Sequence, residues 1–212
     1  MSLLDGDNFK ESDSFNYNNT FSGLFNSSTK LIHSKNLILP VMTLTYQCYG
    51  SMFYNCTSLV DAPVLPATTL ANWCYYYMFY GCTSLIVAPE LPATTLKSNC
   101  YLSMFYNCTS LITAPELPTT SVTDNYSGSC YASMFENCTS LIEAPTLPIT
   151  HFNNDSTARG NCSQYNRMFY GCSNLNYIRC YLVKSVNNCA DDLLTGVAGT
   201  GVYVTTNITY SS

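Results

Sequence analysis

Charge is scarce in this chain. Only 10% of its 212 residues are Asp, Glu, Lys or Arg, and the eight basic residues are scattered. That argues against nucleic acid, because neutralising phosphates takes clustered Lys and Arg. Anionic lipid finds no basic footing either. Histidine occurs only at His33 and His151 and there is no C-x-x-C, so the usual metal-ligand spacings are missing and no cofactor is expected. Neither histidine is spaced with a Ser or Cys and a carboxylate to make a triad; no catalytic residue is assigned, and the chain is read as non-enzymatic. The longest apolar run, LILPVMTL (37–44), is too short to cross a bilayer and is broken by Pro40, so membrane insertion is not expected. The opening MSLLDGDNFKESDSF has no basic n-region and no apolar h-region, so no secretory signal is expected in it.

What the chain has instead is repetition. Cys56, Cys82 and Cys108 are 26 residues apart, and Cys138 and Cys172 follow after 30 and 34. A second series, Cys48, Cys74, Cys100, Cys130 and Cys162, precedes the first by 8 residues in four coils and by 10 in the last. Met52, Met78, Met104, Met134 and Met168 recur in register, each followed by Phe, and so do Leu59, Leu85, Leu111, Leu141 and Leu175. A degenerate copy starts at LFNSSTKL (24–31), with Ser28 in the cysteine's place. A period in the twenties with recurring leucines marks a solenoid, whose single units cannot bury their own apolar side.

Within a coil, Leu70, Cys74, Met78 and Cys82 are spaced by four, which predicts one side of a short helix with Thr69 as its cap. Positions 55, 81, 107, 137 and 171 read Asn, Gly, Asn, Asn and Gly, residues that tolerate the left-handed backbone closing a helix. The apolar run Leu85 to Ala88 then reads as a strand of a parallel sheet, shortened or bulged because Pro89 follows.

The pattern M-F-x-x-C-x-S-L-x-x-A-P-x-L-P resembles the BspA-like class of leucine-rich repeats, found on surfaces of gut anaerobes, in some protozoa and in phage-encoded proteins. The likeness covers about residues 24 to 189. It implies an α/β repeat solenoid, a leucine-rich-repeat-like stack of about six coils, each a short parallel strand plus a short helix. The reading is 1–23 as an N-terminal arm or cap, 24–189 as repeats and 190–212 as a C-terminal cap. The lengthenings at SVTDNYSGS (121–129) and HFNNDSTARGN (151–161) read as surface loops.

Twelve cysteines invite a redox reading. On a helix, Cys74 and Cys82 would lie roughly 12 Å apart, and neighbouring helices about 8–10 Å apart, both beyond disulfide reach. Buried, reduced, space-filling thiols are therefore expected, with Cys180 and Cys189 as the best disulfide candidates. The N-x-S/T matches at Asn55, Asn107 and Asn137 are accounted for by the helix stop and are not read as glycosylation sites.

Candidate binding residues come from the files that the repeat creates. Tyr54, Tyr80, Tyr106 and Tyr170 form one file, and Tyr49, Tyr75, Tyr101 and Tyr131 another. Each flanks an inferred buried residue on the helix, so both files should be partly exposed, as a binding surface or as a skin packing ring on ring. On the sheet side, positions 61, 87, 113, 143 and 177, and 64, 90, 116 and 146, vary while their neighbours repeat. Asp61, Glu90, Glu116, Glu143 and Tyr177 are the candidates there. The expectation is a surface module for adhesion or assembly that recognises a protein or a glycan on a cell or virion surface, extracellular in either case. A phage virion decoration or tail-associated protein is one form of it and a bacterial adhesin the other. The competing class is a structural spacer or homo-oligomer-forming subunit without ligand.

Overall fold

The computed structural model describes residues 16–117, 129–147, 164–180, 192–199 and 202–205. The two polar lengthenings lie outside these residues apart from Ser129, as do the first fifteen residues, Cys162 and Cys189.

The chain stacks flat coils, but the predicted helix is not there. Residues 45–55 and their counterparts form a ribbon of overlapping turns. The N–H groups of Cys48, Gly50, Met52, Tyr54 and Cys56 bond back to the carbonyl three residues earlier. Those of Gln47, Tyr49, Ser51, Phe53 and Asn55 donate instead to the carbonyls of Asn72, Cys74, Tyr76, Met78 and Tyr80 in the next coil. An α-helix would spend every interior donor inside its own segment; here alternate donors hold one coil to the next, so the stack is its own ladder.

The ribbon requires a left-handed residue at every fourth position. These residues are Asn19, Gly23 and Ser27; Gln47, Ser51 and Asn55; Trp73, Tyr77 and Gly81; Asn99, Ser103 and Asn107; Ser133 and Asn137; Arg167 and Gly171; Asp192 and Gly196. Seven passes of ribbon are thus visible among the described residues. In the five passes between the first and the last, the final slot is the Asn/Gly column read from the sequence as a helix stop, and its φ is positive at all five predicted positions, from 54° to 72°. A non-glycine residue in this conformation costs about 1–2 kcal/mol, which the inter-coil ladder and core burial offset.

A repeat of four, not 3.6, turns two consecutive residues inward in each step. Cys48 with Tyr49 and Met52 with Phe53 are all buried, as are their counterparts through Tyr131, Met134 and Phe135. Phe21, Tyr49, Tyr75, Tyr101, Tyr131 and Tyr165 stack in one internal file with ring centroids 5.8–5.9 Å apart. Phe25, Phe53, Phe79, Phe105, Phe135 and Phe169 stack in a second at 5.3–5.8 Å. Offset stacking of this kind adds about 0.5–1.5 kcal/mol per pair beyond the area buried. Cys56, Cys82, Cys108, Cys138 and Cys172 donate S–H at 3.0–3.1 Å to the carbonyls of Phe25, Phe53, Phe79, Phe105 and Phe135, one coil earlier in each case. A cysteine fills this slot because it is both a small apolar group and a donor.

The sheet is thinner than a strand per coil. Val87, Thr113, Glu143 and Tyr177 join in a chain of single parallel bridges, and His33–Asp61 and Thr43–Thr69 make two more. Thr69 therefore bridges coils and caps no helix. Among the described residues the file widens only at the C-terminal end, into β1 (Tyr177–Cys180) paired in parallel with β2 (Val202–Thr205).

Both ends of the array differ from the sequence reading. The first pass begins ahead of residue 24: Asn19 and Phe21 already donate to Tyr46 and Cys48. At the other end Gly171 donates to Thr195 and Ala198 to Leu175, so the segment read as a cap continues the coil geometry without the sequence motif. The lengthenings do not disturb the stack. Ser103 bonds to Ala132 and Ser133 to Asn166 across the longer coils, as Trp73 does to Ser98 across a short one.

Candidate recognition surfaces

The structure separates the two tyrosine files. Tyr49, Tyr75, Tyr101 and Tyr131 are at most 2% exposed and belong to the core. They were expected at the surface because neighbours on a helix diverge around its axis, whereas the four-residue ribbon turns adjacent residues the same way. Burial pushes the Tyr49 and Tyr75 hydroxyls well above the ordinary phenol range. The other file is half-buried at the ribbon surface. Tyr54, Tyr80 and Tyr106 stack face to face at 4.7 and 4.5 Å, and partial burial beside Tyr106 and Tyr54 pushes the Tyr80 hydroxyl up to about 12.

This file is interrupted one coil later, where Glu136 replaces tyrosine. Arg167 closes the gap. It holds the buried Glu136 carboxylate with two hydrogen bonds, of 3.1 and 2.6 Å, and lays its guanidinium 3.8 Å from the centre of the Tyr170 ring. The Glu136 hydrogen bonds raise the Arg167 guanidinium above its ordinary range, with Tyr170 and Asp192 adding to the shift. Tyr170 thus belongs to the same surface but stacks on a cation.

On the sheet side Val87, Thr113, Glu143 and Tyr177, from the first of the two variable series, fall in one file of parallel bridges. Glu90, Glu116 and Glu143 are exposed, and Tyr177, half-buried, begins β1. Asp61 is engaged: its carboxylate accepts from the amides of Ser34 and Lys35 and lies 2.6 Å from His33 Nδ1. Burial pulls that carboxyl up, but the His33 and amide bonds outweigh it and hold it below the usual carboxylate range. Asp61 therefore ties the loop at 33–35 to the next coil.

Two surface features escaped the sequence reading. Ile86, Ile112 and Ile142 stand 44%, 44% and 50% exposed in one file and floor an open groove of about 750 Å³ rimmed by Ser84, Ser110 and Ser140. Glu116 and Glu143 line the recess beside it. The run Leu85–Ala88 reads as a strand of a parallel sheet, yet only Leu85 and Ala88 point inward; recurrence of isoleucine after Leu85, Leu111 and Leu141 was the available signal. The second feature is an aromatic cluster on the ribbon side. Trp73 meets Tyr76 edge to face at 5.5 Å, and Tyr77 contacts Tyr54, Tyr76 and Tyr80 at 5.1–6.5 Å.

Nine cysteines are free and buried among the described residues. Burial pushes the Cys48 thiol up to about 11 and Cys172 up to about 12, and raises Cys74, Cys82, Cys100, Cys108 and Cys138 further. Such thiols are poor nucleophiles and poor metal ligands. The slot that Cys130 fills is taken one coil later by buried Gln164, whose Oε1 accepts from the Cys130 amide, where the second cysteine series predicts Cys162. The proposed Cys180–Cys189 pair lies outside the described side chains. Among the described residues no three His, Cys, Asp or Glu side chains gather to hold a metal ion, and no helix is long and apolar enough to cross a membrane.

No protein-family profile matches the chain, and no curated protein matches it. Among solved structures it is similar to the crystal structure of a leucine-rich repeat protein of T. pallidum. The two are 18% identical with a TM-score of 0.43 over 80% of this chain and 68% of that one. The repeat architecture itself stands on the chain's own inter-coil ladder.

Proposed function

We propose that this protein is a non-catalytic recognition module that works at a cell or virion surface, in adhesion or assembly, by presenting its sheet-side groove to a partner protein. The observation that carries this reading is the half-exposed file Ile86, Ile112 and Ile142. Buried leucines and aromatics already close the core, so this apolar file is surplus to folding. Contiguous exposed apolar surface rimmed by polar groups marks an interaction site. Low charge along the rest of the surface suits recognition by contact rather than by long-range steering.

A second reading, a rigid spacer without ligand, is favoured by the internal ring files, which satisfy one another and stiffen the stack. Protein and glycan arrays probed with the purified chain separate the two. The expected outcome is a partner whose affinity falls at least tenfold on Ile112→Ser with Ile142→Ser, at unchanged melting temperature. A chain with no partner, or one indifferent both to these changes and to Tyr80→Ala with Tyr106→Ala, is a spacer.

A further inference from the structure

We infer that the aromatic cluster on the ribbon side, centred on Trp73 and Tyr77, is a binding site for a neutral carbohydrate. It is independent of the sheet-side groove. Trp73 and Tyr77 occupy slots that the architecture forces into the left-handed region, at φ 62° and 54°. The neighbouring coils fill those slots with Gln47 and Asn99, and with Ser51 and Ser103. A bulky aromatic residue is among the least suited to this backbone, whereas Asn tolerates it. This coil places aromatic rings at both slots, abandoning the residues that fold best there, and what it gains is surface chemistry.

Trp73, Tyr76, Tyr77 and Tyr80, with Tyr54 and Tyr106 from the adjacent coils, are each half-buried. Folding does not need them deeper, since Tyr75 and Phe79 already fill the core of the same coil. Their arrangement is not one closed stack. Trp73 and Tyr76 meet at 83°, and Tyr77 stands at 61° and 70° to Tyr54 and Tyr80. Rings set at steep angles, each tyrosine carrying a hydroxyl at its tip, offer apolar faces beside hydrogen-bonding edges. Tyr76 Oη already accepts from Gln47 Nε2 at 2.7 Å, which fixes one such edge. A pyranose ring has the complementary make-up, with C–H faces for the rings and hydroxyls for the polar edges. The six side chains of the cluster carry no charge, so they offer no ion pair to an acidic sugar, and a neutral one is the better fit.

Trp73 is the chain's single tryptophan, so its emission reports on this site alone. The test titrates the full chain with soluble neutral polysaccharides and their oligomers (glucan, mannan, xylan and chitin series) while following that emission. At least one series should give a saturable blue shift, and Tyr77→Ser should weaken it tenfold or more. Trp73→Asn, followed by calorimetry, should abolish binding of the same sugar. Because Asn and Ser serve these slots in neighbouring coils, both variants should keep or raise the melting temperature. Three results would overturn the inference: no series shifts the emission; a proline-rich peptide shifts it where sugars do not; or both variants melt several degrees lower, which would make the rings structural.

Discussion

Gly81 has φ 69°, and a Cβ built on it would overlap Oδ1 of Asn55 one coil earlier; Gly171 stands in the same relation to Asn137. Backbone conformation and an inter-coil contact therefore both demand glycine. Gly81→Ala is expected to cost about 1–3 kcal/mol in urea unfolding. Adding Asn55→Gly should return only the part due to overlap, because the backbone cost stays. A second residue-scale test lies in the core. Tyr75 Oη is buried and finds no hydrogen-bond partner among the described residues, while Phe21 serves the same file without a hydroxyl. Leaving a buried hydroxyl unpaired costs about 1–3 kcal/mol, so Tyr75→Phe should raise stability, by about 1 kcal/mol in denaturant melts; a loss of that size would mean that the hydroxyl is used. At this scale the left-handed Asn/Gly column was legible, because those residue types reveal the backbone they tolerate. The preceding two slots were not, since Gln47, Trp73 and Arg167 carry no such preference.

One four-residue spacing carried two meanings at the scale of the element. Cys74, Met78 and Cys82 suit a helix loosely, but Tyr75 and Phe79 at the same interval belong to the same interior, and on a helix each would lie well around from its neighbour. Pairs of adjacent apolar residues every four positions were the legible sign of a ribbon. They went unread because this element spends half its donors outside its own segment, a pattern that local propensity does not encode. The thiol files make the element testable. Each raised thiol keeps its proton in the folded chain at a pH where the unfolded chain, with thiols near 8.5, has lost it. Their contribution is therefore whole below about pH 8.5 and is lost as pH rises, by about 1.4 kcal/mol per pH unit per thiol until the folded value is reached. Urea midpoints should fall steeply between pH 8.5 and 11, and a flat profile would place the thiols in water. In native buffer at pH 8 the nine should resist a disulfide reagent, and at least nine should react once the chain is unfolded.

A stack held by neighbour-to-neighbour contacts has stability that adds coil by coil, and the whole molecule can be tested on that footing. Removing residues 71–96, one full period, places Phe105 on Phe53 and Tyr106 on Tyr54 and keeps every ladder donor opposite a carbonyl. Asn107 then lies on Asn55, an Asn-on-Asn step that the chain already makes between 107 and 137. The shortened chain is expected to fold cooperatively, with a urea m-value reduced by about an eighth, because 26 of 212 residues are gone and m scales with the surface exposed on unfolding. Removing only 71–83 sets turn against bridge across the cut, so that left-handed slots and aromatic files lose register together; that chain should not fold. The period of the array was plain in the sequence because every inward file repeats its chemistry. Its ends were not, because Asn19 to Gly23 and Asp192 to Ala198 keep the coil's hydrogen bonds while dropping most of the residues that advertise it. If both deletions folded equally well, the coils would not be in register, and the stacked ladder would lose its physical basis.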